Sequence, residues 1–165
     1  MALPRGRRWE KPFPIPHSLK ARDRNKRYQE FNSLARRRGL IVLFSRSPYC
    51  KHQAVAWNKH FDEFRALDYN VALVSYDPVA VHAQFGAVNK IAYSLLSDEG
   101  SRIIRVFGLI NQLFAPSSPW HGLTHSMIFA IDPRGVITHR ISSVDYRSCL
   151  DVATLLPELK KAAGE

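Results

Sequence analysis

The sequence has only two cysteines, Cys50 and Cys149, and it has no long apolar run. Two cysteines allow at most one internal bridge, which argues against a disulfide-stapled scaffold and against paired C-x-x-C zinc spacing. No run of 18 apolar residues occurs, so we expect no transmembrane helix. A length of 165 residues is sufficient for one domain with its own hydrophobic core.

Acidic residues are scarce in the first 38 positions, which hold 12 Lys or Arg against 3 Asp or Glu. Residues 39–165 hold 12 against 11, so nearly all of the net charge of +10 belongs to the amino-terminal part. A nucleic-acid enzyme more often carries its positive charge on a folded face. The distribution therefore predicts a basic leader over residues 1–38, a domain over residues 39–165, and no nucleic-acid partner.

Three prolines at 12, 14 and 16 predict an extended or disordered start to this leader. Farther on, Tyr28, Phe31, Leu34 and Ala35 form an apolar stripe at helical spacing. Three arginines and Gly39 follow the stripe, as is typical of a helix end. The pattern predicts a helix from about residue 24 to residue 38.

The stretch from Leu40 to Gln53 organises the rest of the chain. Leu40 to Phe44 is a continuous apolar run with the length of a buried strand, and the turn-forming residues 45–48 end it. From Cys50 onward, apolar residues recur at helical spacing. The sequence therefore predicts that a buried strand delivers Cys50 to the start of a helix.

A helix start favours a thiolate over a thiol because its N–H groups are unsatisfied and carry partial positive charge. Lowering a thiol pKa from about 8.5 to about 6 requires roughly 3.4 kcal/mol, whereas a helix end supplies about 0.3 to 2 kcal/mol. A further cation or donor is therefore needed, and Arg46, Lys51 and His52 are the neighbouring candidates. The alternative is a buried, inert cysteine.

Further apolar segments continue the alternation of strands and helices. Strands are predicted at 71–76, 93–96, 127–131 and 136–141, with helices over the segments that contain Val81 to Val88, Ile103 to Phe107, and Val152 to Leu159. Residues 97–99 are typical of a start for the second of these helices, and Pro157 is expected to kink or split the third. Asp77 and Pro78 fit a helix cap and a first helical residue, and residues 132–135 fit a type I turn. This order predicts an α/β fold with parallel strands joined by crossovers.

The chain resembles the peroxiredoxin-like redoxins of the AhpC/TSA family, which have the thioredoxin fold. The motifs that carry the resemblance are Leu-Phe-Ser-Arg-Ser at 43–47, Pro-Tyr-Cys-Lys-His-Gln at 48–53, Leu-Leu-Ser-Asp at 95–98, Val-Phe-Gly-Leu at 106–109 and Phe-Ala-Ile-Asp-Pro-Arg-Gly-Val at 129–136. The resemblance implies a central mixed β-sheet flanked by helices. Many such redoxins carry two cysteines at the active turn, but residues 46–50 keep only Cys50, which excludes dithiol exchange within the turn. The apolar hairpin that usually opens the family's domain is replaced by the basic leader, so we expect an uncovered sheet edge.

The resemblance also implies a function, namely a thiol-dependent antioxidant oxidoreductase. In this interpretation Cys50 attacks a peroxide, Arg46 and Ser47 stabilise the developing charge, and a small thiol or a thioredoxin-type protein is the reductant. Cys149 is the one possible resolving thiol within the chain. The alternative function is a catalytically degenerate binding module whose basic leader carries its interactions.

No cofactor and no metal are expected. Three histidines could belong to a metal site, namely His121, His125 and His139. The proline-rich segment before His121, however, predicts no helix that would hold the first two on one face. We expect a cytoplasmic location, and the sequence leaves the oligomeric state open.

Overall fold

The fold is described here from a computed structural model, which describes residues 13–14, 19–45, 51–112, 114–124, 126–142 and 152–164. Within these ranges there are eight strands: β1 (Phe13–Pro14), β2 (Lys20–Arg22), β3 (Tyr28–Glu30), β4 (Gly39–Phe44), β5 (Tyr69–Ser75), β6 (Ser94–Ser97), β7 (Met127–Ile131) and β8 (Val136–Ser142). The same ranges contain six helices: α1 (Phe31–Leu34), α2 (Lys51–Lys59), α3 (Phe61–Ala66), α4 (Val79–Val88), α5 (Arg102–Val106) and α6 (Val152–Ala162). None of the described helices is long and apolar enough to cross a membrane.

All eight strands form one mixed sheet in the order β1-β8-β7-β4-β5-β6-β2-β3. Strand β4 lies near the middle, parallel to β5 and antiparallel to β7, and β6 continues the parallel part beyond β5. Parallel neighbours need crossover connections, which α2 with α3 and then α4 provide. The predicted central mixed sheet flanked by helices is therefore confirmed.

Strand β4 is buried along its whole length because the sheet is covered on both faces. Ile41 and Leu43 join a core that contains Trp57 and Phe64. The alternate residues of β4 join a second core, which contains Ile103 and Ile104 of α5. Each fully buried side chain of this size stabilises the fold by about 1.5–3 kcal/mol. This burial holds β4 in place, and β4 is the strand that leads to residue 50.

Most of the strands predicted from apolar runs are present in the structure. The strands predicted at 40–44, 71–76, 127–131 and 136–141 are confirmed as β4, β5, β7 and β8, within one or two residues at their ends. The turn at 132–135 is confirmed as well, since the Asp132 carboxylate accepts hydrogen bonds from the N–H groups of Arg134 (2.8 Å) and Val136 (3.0 Å).

The helix predicted over residues 24–38 is wrong. Hairpin β2–β3 and the four-residue helix α1 occupy this segment. The Asp23 carboxylate closes the hairpin turn by accepting hydrogen bonds from the N–H groups of Asn25 (2.8 Å) and Arg27 (3.0 Å). Of the apolar stripe, Phe31 is buried whereas Tyr28 is 59% exposed, so the stripe does not face one core. Local turn chemistry at Asp23 overrides the helical spacing.

The same hairpin corrects the expectation of an uncovered sheet edge. Strand β2 pairs with β6 through Arg22 and Ser97, and β3 forms the outer strand. Leu19 and Ala21 are buried in the same core as the central strands. Residues from the basic segment therefore supply the hairpin that was expected to be missing.

Three helices differ in detail from their predictions. The helix that follows residue 50 divides into α2 and α3 at His60, where φ is −103° and ψ is 4°. Helix α5 begins at Arg102 instead of at 97–99, because Asp98 lies one turn earlier and accepts hydrogen bonds from the α5 N–H groups. Helix α6 runs through Pro157 without a division.

Candidate active site at the carboxyl edge of the sheet

The predicted site residues Arg46, Ser47, Cys50 and Cys149 lie outside the described residues, so their roles stay predictions. Their setting is described on both sides of the turn. Ser45 follows the last residue of β4, and Lys51 is the first described residue of α2. Residues 46–50 thus link the carboxyl end of a buried strand to a helix, as the sequence predicts.

Helix α2 is firmly held at the face that points into the protein. Trp57 is completely buried and its ring stacks on that of Phe64, with centroids 5.1 Å apart and planes within 2°. The Tyr93 hydroxyl donates a hydrogen bond to the Ala54 carbonyl at 2.6 Å. Burial raises the pKa of that hydroxyl well above its ordinary value, which keeps it a donor. These contacts fix the direction in which the helix start points.

The described start of α2 favours a negative charge. Its first turn contains no acidic residue, and Lys51 and His52 are both exposed there. Unsatisfied N–H groups and a lysine ammonium at one helix end both stabilise an anion. An anionic sulfur next to Lys51 in the chain would therefore meet a favourable potential.

A polar edge lies at the carboxyl end of the parallel strands, because each of the three strands ends in a serine or is directly followed by one. Ser45, Ser75 and Ser97 occupy the carboxyl ends of β4, β5 and β6. The Ser45 N–H donates to the Val74 carbonyl at 3.0 Å, which extends the β4–β5 ladder by one residue. In open parallel sheets, this edge is where ligands and reacting groups collect.

A hydrogen-bonded chain of Asp77, Ser75 and His82 lies at this edge, in which Ser75 and His82 are buried and Asp77 is partly exposed. The Ser75 hydroxyl donates to the Asp77 carboxylate at 2.8 Å, and the Ser75 oxygen is 2.7 Å from His82 Nε2. The hydroxyl has one hydrogen, which is used toward Asp77, so Nε2 must donate its proton to Ser75. His82 Nδ1 is buried and has no hydrogen-bond partner of normal geometry among the described residues.

The sequence pattern predicts Asp77 as a helix cap and does not reveal this hydrogen-bonded chain. In the structure, Pro78 occupies the cap position of α4, no side-chain capping bond forms, and the Asp77 carboxylate turns toward Ser75 instead. A usable signal was present in the sequence, because a serine and an aspartate follow a buried strand and a histidine lies one turn into the next helix. Only the folded arrangement brings the three side chains together.

A small cavity of about 30 Å³ adjoins this chain and reaches the start of α2. Its polar wall consists of Ser45, Lys51, Ser75, Asp77 and His82, and its apolar wall consists of Ala54, Leu73, Val81, Phe85 and Leu95. The cavity is large enough for one water molecule, which would find hydrogen-bonding groups on the polar wall only. The cavity therefore connects the buried histidine with the residue that follows Cys50.

His82 gives the fold a pH dependence of defined sign. Burial lowers the pKa of His82 below its ordinary value of 6.5, and Asp77 and the Leu95 backbone oppose this effect in part. The unfolded chain then binds more protons than the native protein at pH values below about 6.5, so stability falls as the pH decreases through that range. We expect the His82→Gln variant to lose part of this dependence when urea unfolding is measured at pH 7 and at pH 5.5.

The matched control for this measurement is His52→Gln, because His52 is exposed on α2. The control variant should keep the pH dependence of the unmodified protein. If His82→Gln and the unmodified protein lose equal stability between the two pH values, the buried neutral histidine is not the cause.

The histidines considered for a metal site form no such site in the part of the chain that the structure describes. No group of three or more His, Cys, Asp or Glu residues there is arranged to hold a metal ion. His121 Nδ1 contacts the Phe114 carbonyl at 3.1 Å, His139 lies in β8, and His125 lies outside the described residues.

Comparison with curated proteins gives relatives among the plant peroxiredoxins Q. The chain is 30% identical to the chloroplastic peroxiredoxin Q of Arabidopsis thaliana over 91 residues, which cover 55% of this chain and 39% of that protein. It is 28% identical to the chloroplastic peroxiredoxin Q of Oryza sativa subsp. japonica over 105 residues, which cover 62% of this chain and 46% of that protein. The chain therefore spans less than half the length of these two relatives.

Solved structures extend the likeness to the whole fold. The peroxidoxin BcpB of Mycobacterium tuberculosis superposes with a TM-score of 0.74 at 20% identity, covering 87% of this chain and 92% of that one. A mutant of PrxQ from Xylella fastidiosa superposes with a TM-score of 0.75 at 18% identity, covering 92% of this chain and 96% of that one. The predicted thioredoxin-like α/β fold is confirmed.

The model of the AhpC/TSA family matches residues 15–140, which is most of the chain and includes residues 46–50 and the three parallel strands β4, β5 and β6. The resemblance seen in the sequence motifs is thus confirmed, and the chain belongs to the AhpC/TSA family.

Proposed function

We propose that this protein is a thiol-dependent peroxidase that reduces peroxides through Cys50. The observation that carries the proposal is the family match across residues 15–140, within which a buried strand leads to residue 50 and a helix begins at Lys51. Peroxiredoxins of this family support the activity, whereas they do not favour a binding module as the function.

The proposed chemistry uses a single cysteine. The Cys50 thiolate attacks one peroxide oxygen, the O–O bond breaks, and the departing oxygen takes up a proton to leave as water or an alcohol. Cys50 is thereby oxidised to a sulfenic acid. One thiol then displaces water from this sulfur to give a mixed disulfide, and a second thiol releases Cys50 as a thiol and leaves as part of a disulfide.

The neighbouring residues have supporting roles in this proposal. Arg46 and the start of α2 stabilise the thiolate and the charge that develops on the departing oxygen, and Ser47 donates a hydrogen bond. The reductant is a small thiol or a thioredoxin-type protein, with Cys149 as a possible resolving thiol within the chain. We also propose a cytoplasmic location, whereas these two plant relatives are chloroplastic proteins.

The proposal is tested by trapping the intermediate. After exposure to one equivalent of hydrogen peroxide, dimedone should label Cys50 as a sulfenic acid, and peptide mass spectrometry should locate the label. A Cys149→Ser background removes the other thiol and should give the same label on Cys50. Labelling that is absent from Cys50, or that is unchanged without peroxide, would overturn the proposed function.

A further inference from the structure

An open cleft with a basic lining lies at the carboxyl edge of the sheet, between hairpin β2–β3 and the starts of α4 and α5. Its volume is about 680 Å³. Four cationic residues line it, namely Lys20, Arg22, Lys26 and Arg102, and we call it the basic cleft. Three of the four come from the basic segment that the sequence analysis singled out and that the peroxidase chemistry does not use.

The positive charge of the basic cleft is only partly offset by the described carboxylates around it, which are Asp98 and Glu99 in its lining and Glu30 opposite Lys20 in the hairpin. All four cationic residues are exposed, and none of them forms an ion pair within the described part of the chain. The Asp98 carboxylate is buried and faces α5, where it accepts hydrogen bonds from the N–H groups of Ile103 (2.9 Å) and Ile104 (2.8 Å). Glu99 is the other lining carboxylate, so cations predominate at the surface of the cleft.

Tyr28 holds two of these cations in place. Its ring is 59% exposed, with Lys20 Nζ 5.2 Å and the Arg22 guanidinium carbon 5.0 Å from the ring centroid. Cation–π contacts of this kind restrict long side chains that would otherwise move freely in water. A partner that binds here therefore loses less side-chain entropy than at an ordinary lysine and arginine surface.

The cleft lies close to the carboxyl end of β4, from which the chain continues to Cys50. Arg22 pairs with Ser97 at the carboxyl end of β6, and Ser45 precedes the turn at the carboxyl end of β4. Three strand spacings separate β4 from β2, which corresponds to about 14 Å. A standard protein interface covers about 800 Å² on each partner, or a disc of roughly 16 Å radius. A protein that brings a thiol to residue 50 would therefore also cover the cleft.

We propose that the basic cleft docks an acidic surface of the protein reductant that restores Cys50. This inference rests on the proposed peroxidase function. The reductant is a protein dithiol, which gives two electrons to the Cys50 sulfenic acid, becomes a disulfide and releases one water molecule. Complementary charge raises the association rate of such a pair and orients the dithiol toward the turn.

The experiment compares two reductants on the same variants. An acidic thioredoxin is the protein dithiol, and dithiothreitol is the neutral small thiol. The Arg22→Glu/Arg102→Glu variant should lower kcat/KM for thioredoxin by about tenfold or more at low salt, and it should leave turnover with dithiothreitol unchanged. The thioredoxin rate of the unmodified protein should fall with added salt, whereas that of the variant should not.

The matched control is Arg36→Glu/Arg37→Glu. It also reverses the charge of two exposed arginines, but these lie near the opposite end of β4. This control should retain the thioredoxin rate. The milder Arg22→Gln/Arg102→Gln variant should give a smaller loss in the same direction if the charge-reversed protein folds poorly.

Three outcomes would overturn the proposal. Equal loss in the control variant, equal loss with dithiothreitol, or a thioredoxin rate that does not depend on salt would each show that the basic cleft is not the docking surface. An unmodified protein that turns over with neither thiol would overturn the peroxidase function itself, and the docking surface with it.

Discussion

The Cys50→Ser variant is expected to lose peroxide turnover by at least about 1,000-fold, which corresponds to roughly 4 kcal/mol of transition-state stabilisation. A serine hydroxyl stays protonated where a cysteine thiol ionises, so the variant lacks the nucleophile. Turnover is measured as peroxide consumption with dithiothreitol as reductant. Because the turn of residues 46–50 contains no second cysteine, an external thiol should be sufficient.

The control for this measurement is Cys149→Ser, which should retain most of the turnover. The opposite result, namely loss of turnover in Cys149→Ser together with a Cys50–Cys149 peptide in the oxidised protein, would establish an internal resolving thiol. If no reductant supports turnover that depends on Cys50, the binding-module interpretation replaces the peroxidase.

The Gly39→Ala variant is expected to lose about 3–5 kcal/mol of unfolding free energy. Gly39 has a φ of +136°, and a Cβ at this position would collide with the Ile131 carbonyl and lie 3.1 Å from the Asp132 Cα. Those atoms are backbone in β7 and in the turn after it, so they cannot rotate out of the way. The β4–β7 ladder would have to shift, beginning at the pair of Leu40 and Ile131.

Urea or guanidinium unfolding measures this loss, with Gly108→Ala as the control. Gly108 also has a positive φ, of +68°, but nothing lies within 4 Å of the position of its Cβ. The control should therefore cost only the backbone strain of about 1 kcal/mol. If the two variants lose the same free energy, the contact with Ile131 does not limit residue 39.

The central sheet could be predicted because its signals are local and apolar. Leu40 to Phe44 reads as a buried strand, and all of these residues are buried between two cores. The hairpin could not be predicted from periodicity, because Asp23 closes its turn through side-chain hydrogen bonds that the spacing of Tyr28 and Phe31 does not reveal. Apolar pattern thus determines the centre of the fold, whereas turn chemistry determines its edge.

The strand and the helix on either side of residue 50 could be predicted from the sequence, whereas the side-chain contacts beside them could not. A strand followed by a helix around residue 50 follows from the sequence alone, and the structure confirms the flanking β4 and α2. The contact between Ser75 and His82 depends on the crossing of α4 over the sheet, which no local pattern specifies. The same limitation applies to the basic cleft, whose cations come from the hairpin and from α5.

Hairpin β2–β3 is attached to the sheet by one residue pair, Arg22 with Ser97, and by a hydrogen bond from the Arg24 guanidinium to the Ile91 carbonyl at 2.8 Å. By comparison, six residue pairs join β4 to β5. Ala21 and the preceding Leu19 are also buried against the sheet, but the hairpin has far fewer backbone pairs than the central strands. We therefore expect it to open locally at a lower free energy than the central strands. Any partner that binds only the closed hairpin shifts this opening equilibrium, so occupancy of the basic cleft and order at the edge of the sheet are thermodynamically linked.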